Sequence, residues 1–451
     1  MNQNLNLDEI MKKKLFDSEN IIAEKFKAIG HPIRMHILIH LLEKTDTFNN
    51  IMSVVGNSFT IGSSSLAHHL NSLESEGLIQ KIKRGEYELT NFTKQILNFI
   101  NLNYNQENSK LIQTIIPDEK LVSSNPVYQP GWNSFVASLS GILNSLHVNY
   151  DYIEVGGRVG LSFPIIIETQ SLDYKAIDAF NDQTFSLFLQ AIESFGFKVN
   201  LWQKDKTYAD NWQMNYEDFK KVQEMFNEVK NIICCYDTPV MLYGIRNSSV
   251  YGIVKGYKND SYIVSTFYRS EGRIDTPVRF DSIFVSDVFR FLYLTKHETI
   301  PINQKPDYLE VLKRALFLLK GENITLQGFI AGPEAYDEWI KKLKEGQNTK
   351  HSYFGRHYND ARLITTEFLE RIARNEKGKN QSELIMQASK EHRKVKQQLE
   401  EFMMLIPYWE PEKITFSNEI IDKTTKLLEE AKLHELRAIN FIEDAIKIWE
   451  T

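Results

Sequence analysis

Two cysteines in 451 residues leave no material for a disulfide framework or a four-thiolate zinc site. They stand side by side, Cys234-Cys235, inside an apolar run that begins at Ile232. Read as a strand, that run turns the two thiols to opposite sides of a sheet, each either a small buried residue or a reactive thiol. Long apolar runs are missing as well. No stretch approaches the roughly 20 residues that a membrane-spanning helix needs. Met1-Asn2-Gln3-Asn4 lacks a signal-peptide core, so a cytoplasmic protein is expected. Nor is there a surplus of positive charge. With 53 Lys and Arg against 59 Asp and Glu the formal charge is −6, and any attraction to nucleic acid must be local to one face. Nucleotide fingerprints are absent too: the glycines between Tyr152 and Phe163 have neither a Gly-Lys-Ser/Thr ending nor a strand-glycine-helix order. Such glycines are expected to permit close backbone approach or a sharp turn.

What is present is a 42% hydrophobic, 25% charged chain, too long for one core, and two or three domains are expected. The most informative stretch is Ser63 to Ile79. Leu66, Leu70 and Leu73 recur at i, i+4 and i+7 and give one apolar stripe. Ser63, Ser64, Ser65, His68, His69 and Asn71 lie off it and are expected to face outward, short donors suited to base edges and phosphates. Gly77 stops the helix. Leu78 to Leu89 then alternates as a hairpin with Arg84-Gly85-Glu86 at its tip. Upstream, helices are expected over Met35 to Leu42 and Phe48 to Val55, which makes the set a winged helix-turn-helix.

Lys27 to Arg34 (Lys-Ala-Ile-Gly-His-Pro-Ile-Arg), the run Ser65 to Leu70 and the closing Gly77-Leu78-Ile79 resemble the arsenic-repressor (ArsR-type) family of bacterial winged-helix regulators, over about the first quarter of the chain. The resemblance implies a homodimer on double-stranded DNA, with Ser63 to Asn71 in the major groove and Lys81, Lys83 and Arg84 on phosphates. The family's thiol-rich metal site has no counterpart, since Phe48 to Val55 holds no cysteine; neither metal nor cofactor is expected. Small winged helices also serve as protein docking modules, and the charges of residues 60–94 cancel, four Lys or Arg against four Glu. Amphipathic segments at Leu15 to Phe26 and Phe92 to Ile100 either pair two subunits or cap this domain.

Residues 1–104 are therefore expected as the winged helix and 105–129 as a polar, proline-broken linker. Residues 130–305 then run from a helix beginning near Trp132 to the strands around Thr238 to Gly244 and Val250 to Tyr257, with a return strand Ser261 to Thr266. Trp132, the Gly156-Gly157 and Gly160-Leu161-Ser162-Phe163 cluster, Thr238-Pro239-Val240 and Val254 to Asp260 together resemble the papain-like N-terminal family of the butirosin biosynthesis protein H. The resemblance implies a cysteine at the start of the first helix and a histidine on a later strand, the pair that makes a reactive thiolate. Here Ser134 takes the first slot and a residue of Val250-Tyr251-Gly252 the second, which removes acyl transfer and peptide cleavage. A ligand cleft lined by Trp132, Ser134, Phe163, Tyr243, Tyr251 and Tyr257 would remain, unless these aromatics are plain core.

Residues 306–451 are expected as a helical domain, with helices at Tyr308 to Lys320, Gly332 to Lys344, Tyr358 to Arg374, Ser382 to Leu405 and Glu419 to Trp449. The expected fold class is α+β, with an N-terminal winged helix-turn-helix, a central papain-like domain and a C-terminal helical region. The expected function is that of a one-component transcriptional regulator, no enzyme, sensing a small molecule or peptide effector. The alternative is an acyltransferase or peptidase using Ser134, with the winged helix as a docking module.

Overall fold

The computed structural model describes residues 25, 27–59, 61–82, 85–104, 116–169, 180–207, 215–283, 288–297, 299–302, 305–322, 324–346, 350–407 and 416–451. They form an α+β chain in two units, residues 1–120 with 234–236, and residues 121–233 with 237–451. Among these residues no helix is long and apolar enough to cross a membrane. Apart from Lys25, the helix expected over Leu15 to Phe26 lies outside them.

The first unit runs α1 (Pro32–Glu43), β1 (Asp46–Thr47), α2 (Phe48–Ser58), α3 (Ser63–Ser75), β2 (Ile79–Lys81), β3 (Glu86–Leu89) and α4 (Asn91–Tyr104). Proline in the first turn of α1 costs no hydrogen bond, because the amides there have no helical partner. The turn out of α1 is tied by Asp46, whose carboxylate bonds His40 Nε2 at 2.9 Å, the Thr47 amide and Asn50. Burial opposes its ionisation, yet Asn50, Thr47, His40 and Lys44 together hold it below the usual carboxylate range. α3 closes on Gly77 at φ +64°. The Gly77 amide reaches Glu74 O and the Leu78 amide Leu73 O, a Schellman ending that sends the chain straight into β2. β2 pairs β3 from Ile79↔Leu89 to Lys81↔Tyr87, and β1 covers the other edge of β3. Ile37, Leu38, Leu41, Ile51, Val55, Leu66, Leu70, Leu73 and Leu89 make the core between them.

The second unit is built on α5 (Ser134–Ser145), α6 (Tyr152–Val159), β4 (Ile166–Glu168), α7 (Asp182–Glu193), β5 (Phe197–Asp205), α8 (Tyr216–Tyr236), β6 (Val240–Tyr243), β7 (Tyr251–Lys258), β8 (Ser261–Ser265), β9 (Val278–Arg279) and β10 (Val288–Lys296). Then follow α9 (Tyr308–Lys320), β11 (Phe329–Ala331), α10 (Glu334–Lys344), α11 (His351–Asn375), α12 (Asn380–Leu405) and α13 (Asn418–Glu450). Side-chain caps fix most of the helix starts. Asn133, Asp151, Asn181, Asn215, Asp307 and Ser417 each accept amides of the first turn that would otherwise lack partners. A path of six antiparallel strands runs β9-β8-β7-β6-β10-β5. Between β7 and β8 the register skips from Val254↔Val264 to Gly256↔Ile263, so Lys255 is a bulge residue.

Ile232 to Tyr236, read from sequence as a strand, is instead the last part of α8. Asn215 starts that helix, and Val222, Met225, Phe226, Val229, Ile232 and Ile233 continue one buried face along it, so the short apolar run extends a helical period. Cys234 and Cys235 are accordingly free cysteines on a helix. The segments expected as central and helical domains share one core: Phe135, Val155, Phe163 and Leu292 lie in the same cluster as Phe368, Ile385 and Ile442.

Candidate functional site

On α3, Leu66, Leu70 and Leu73 are fully buried while Ser63, Ser64, Ser65, His68 and Asn71 are exposed, so the short polar side chains form one open row. Lys81 on β2 is exposed, with its ammonium 5.6 Å from the centre of the Tyr87 ring. Lys83 and Arg84 lie outside the described residues. Arg34 of α1 donates through Nη1 to Ser72 Oγ at 2.6 Å, which fixes the angle at which α3 presents its outer row.

One residue of the expected row is placed otherwise. His69 is only 9% exposed. Its ring lies 4.7 Å from that of His31 at the start of α1 and 5.8 Å from that of His68. Its position explains this: at i+3 from Leu66 it borders the apolar stripe, and His31 covers it from another helix. Burial first, then the positive potentials of His31, Arg34 and His68, hold its pKa below the ordinary 6.5. The folded form therefore takes this proton less readily than the unfolded chain. His69's contribution to stability is intact above pH 6.5 and is lost as the pH falls from there toward the lower folded value. In an NMR titration its ring should show a midpoint below 6.5. A midpoint at or above 6.5 would contradict the burial.

In the second unit Ser134 is the first residue of α5, and its Oγ accepts the backbone N–H of Tyr251 on β7 at 3.0 Å. The helix start and strand expected to carry a nucleophile and its base are thus brought together. The strand offers Ser134 an amide and no imidazole, so the hydroxyl is used as an acceptor and meets no base on β7 to take its proton. Gly141, farther along α5, makes this approach possible: a Cβ there would stand 2.2 Å from Val127 O and 2.8 Å from Ile253 Cδ1.

Four of the aromatics read from sequence as cleft lining are buried. Phe163 and Tyr257 are fully buried, Tyr251 is 5% and Tyr243 8% exposed, and Phe163, Tyr243 and Tyr251 belong to the main core. Tyr251 packs edge-on to Phe135, with ring centres 5.0 Å apart. Trp132 is half-buried between Tyr353 and the guanidinium of Arg356. Phe163, Tyr243, Tyr251 and Tyr257 are thus core residues, the plainer of the two readings, and Trp132 is half-buried.

A polar cluster not foreseen from sequence lies beside the α5 start. Tyr152 accepts the Asn133 amide at 2.8 Å and donates to Asp360 Oδ2 at 2.6 Å. Burial, reinforced by Asp360, keeps the Tyr152 hydroxyl protonated well beyond its ordinary range. Burial also raises the Asp360 carboxyl against the pull of that hydroxyl. Tyr128, 2% exposed, has a buried hydroxyl with no hydrogen-bond partner among the described residues. Asp360 stands 208 residues from Tyr152, and only the packing of α11 on α6 brings them together. No protein-family model matches the chain, and no curated protein does. In this arrangement Tyr152 links the Asn133 amide to the Asp360 carboxylate, and the Ser134 hydroxyl is engaged by a backbone amide.

Proposed function

We propose that the protein is a cytoplasmic bacterial one-component transcriptional regulator. It reads duplex DNA as a homodimer through the first unit, a winged helix-turn-helix, and senses a small molecule or peptide through the second. The observation that carries the reading is the face of α3, with three serines, His68 and Asn71 exposed in a row and backed by three buried leucines. Short donors on a helix held by a two-helix frame suit base edges and phosphates in a major groove. The hairpin β2–β3 serves as the wing, with Lys81 on its exposed side. The near balance of charge makes random duplex a weak competitor, so affinity comes from a specific site engaged twice.

The second unit is read as a papain-like fold without its chemistry, α5 being the helix whose first residue would be the nucleophile and β7 the strand of the base. What supports the reading against an acyltransferase or peptidase is the amide donated by Tyr251 to Ser134 where an imidazole would be required.

Selection of the full-length protein on a random duplex library should enrich a pseudo-palindrome. On that sequence, His68→Ala with Asn71→Ala should cost about 1–3 kcal/mol for each base edge no longer read, with affinity for random duplex unchanged at the same salt concentration. Equal weakening on both duplexes would take base reading away from α3, and failure to enrich any sequence would end the regulator reading.

A further inference from the structure

An open concavity of the second unit lies away from those aromatics, where β7 and β8 meet the loop that follows them. Its volume is 410 Å³, and Lys255, Arg269, Arg273, Asp275, Ile263 and Ile274 are among its lining residues. That is within the usual range for a small-molecule site, about 300–1,000 Å³.

The charge in it is one-sided once Asp275 is accounted for. Its carboxylate is committed to the wall: Oδ1 accepts from Thr266 Oγ1 at 2.5 Å and from Arg246 Nη2 at 3.3 Å, and Oδ2 accepts the Thr266 amide at 3.0 Å. Three cations line it, and two of them, Lys255 and Arg269, have no carboxylate partner among the described residues. Lys255 is the bulge residue of β7, displaced from the regular alternation, and its ammonium reaches Asn125 Oδ1 at a long 3.4 Å. Arg269 has an exposed guanidinium with no partner among the described residues. Arg273 stands over the Tyr268 ring, its guanidinium carbon 3.6 Å from the ring centre, and donates through Nη1 to Glu271 Oε2 at 3.0 Å, which leaves further nitrogens for a ligand. The other wall is apolar, with Ile263 from β8 and Ile274, 87% exposed, at the lip. The loop is braced: Arg246 stacks on Tyr268 at 4.3 Å, and its Nη2 donates to Thr276 O at 2.6 Å.

We propose that this cavity binds a small organic anion, its acidic group held by Lys255, Arg269 and Arg273 and its apolar part lying against Ile263 and Ile274. Charge-assisted bonds to the acid supply orientation, and the two isoleucines select against a bare inorganic ion. Such an anion is the effector of the regulator, a role that rests on the regulator reading.

The test compares 8-anilinonaphthalene-1-sulfonate with N-phenyl-1-naphthylamine, the same aromatic frame without the acid, by titration of the full-length protein. The sulfonate should bind one per chain and about tenfold more tightly than the neutral amine, the worth of one or two charge-assisted bonds. Arg269→Gln with Arg273→Gln should lower sulfonate affinity about tenfold or more and leave the neutral amine unchanged. Arg269→Gln alone, at an exposed side chain, should already weaken it, so impaired binding is not mistaken for impaired folding. Equal affinity for the two probes, or sulfonate binding that survives the double substitution, overturns the anion site. If the site behaves as proposed while DNA affinity is the same with and without the sulfonate, the site stands and its role as effector falls.

Discussion

Glu435→Ala should destabilise the second unit by about 3–5 kcal/mol, the cost of stranding a buried charge. Arg362 of α11 and Glu435 of α13 are 0% and 1% exposed. Their pairing is two-pronged, Nε to Oε2 at 3.0 Å and Nη2 to Oε1 at 2.6 Å, with the third nitrogen on Ser162 O at 2.8 Å. Burial works against the guanidinium charge, and Glu435 more than offsets it, so the arginine's pKa rises. Without the carboxylate that charge has no counter-ion among the described residues. Nearby His392 is no substitute, since an imidazole is either neutral or cationic; burial and the Arg362 charge hold its pKa well below the ordinary range. Thermal and urea midpoints of the full chain measure the destabilisation. The double substitution Arg362→Met with Glu435→Leu should recover most of it, because a packed apolar pair carries no desolvation cost. A Glu435→Ala protein that unfolds where the parent does would show that the pair is not dry.

Gly157→Ala should also destabilise, against the trend for its place in the chain. Alanine inside a helix is ordinarily worth about 1 kcal/mol over glycine. Here the added Cβ would stand 2.1 Å from Cγ of Phe368 and 2.3 Å from its Cδ1, and a Cβ on neighbouring Gly156 would meet Ile364 at 2.9 Å. Neither helix can yield without disturbing the main core, so the overpacking cost of about 1–3 kcal/mol should outweigh the propensity gain. Trimming the ring in Gly157→Ala with Phe368→Leu should return part of the stability. A more stable Gly157→Ala protein would mean that the two helices stand farther apart than described.

The C-terminal helices were the most legible part of the chain. Tyr308–Lys320 matches its expected bounds, and α10, α12 and α13 begin or end within two residues of theirs, because long periodic segments leave few alternatives; Asp307 and Ser417 cap two of the four. α11 begins seven residues before its expected start at Tyr358, where His351, Ser352 and Phe354 are buried in a turn whose pattern is interrupted by Gly355. Ile232 to Tyr236 misled for the opposite reason: five residues are too few to separate a strand from the end of a helix. The open row on α3 could be read from the leucine spacing, but the burial of His69 could not, since it depends on His31. Ser134 and Tyr251 stand 117 positions apart, and no local pattern in the sequence joins them. The cluster of Tyr152 and Asp360, and the pair of Arg362 and Glu435, carry no local signal, because each joins residues whose partners lie 208 and 73 positions away.

The core of the second unit draws on the chain from Tyr128 to Ile446, with α5 at one end of that span and α13 at the other. During synthesis the early part of this core must therefore wait for its last helix. At about 5–20 residues per second that wait is on the order of 15–60 s, during which the core lacks Ala438, Ile439, Ile442 and Ala445 of α13. The first unit, whose core from Ala28 to Leu97 is local in sequence, has no such wait and can fold as soon as it emerges.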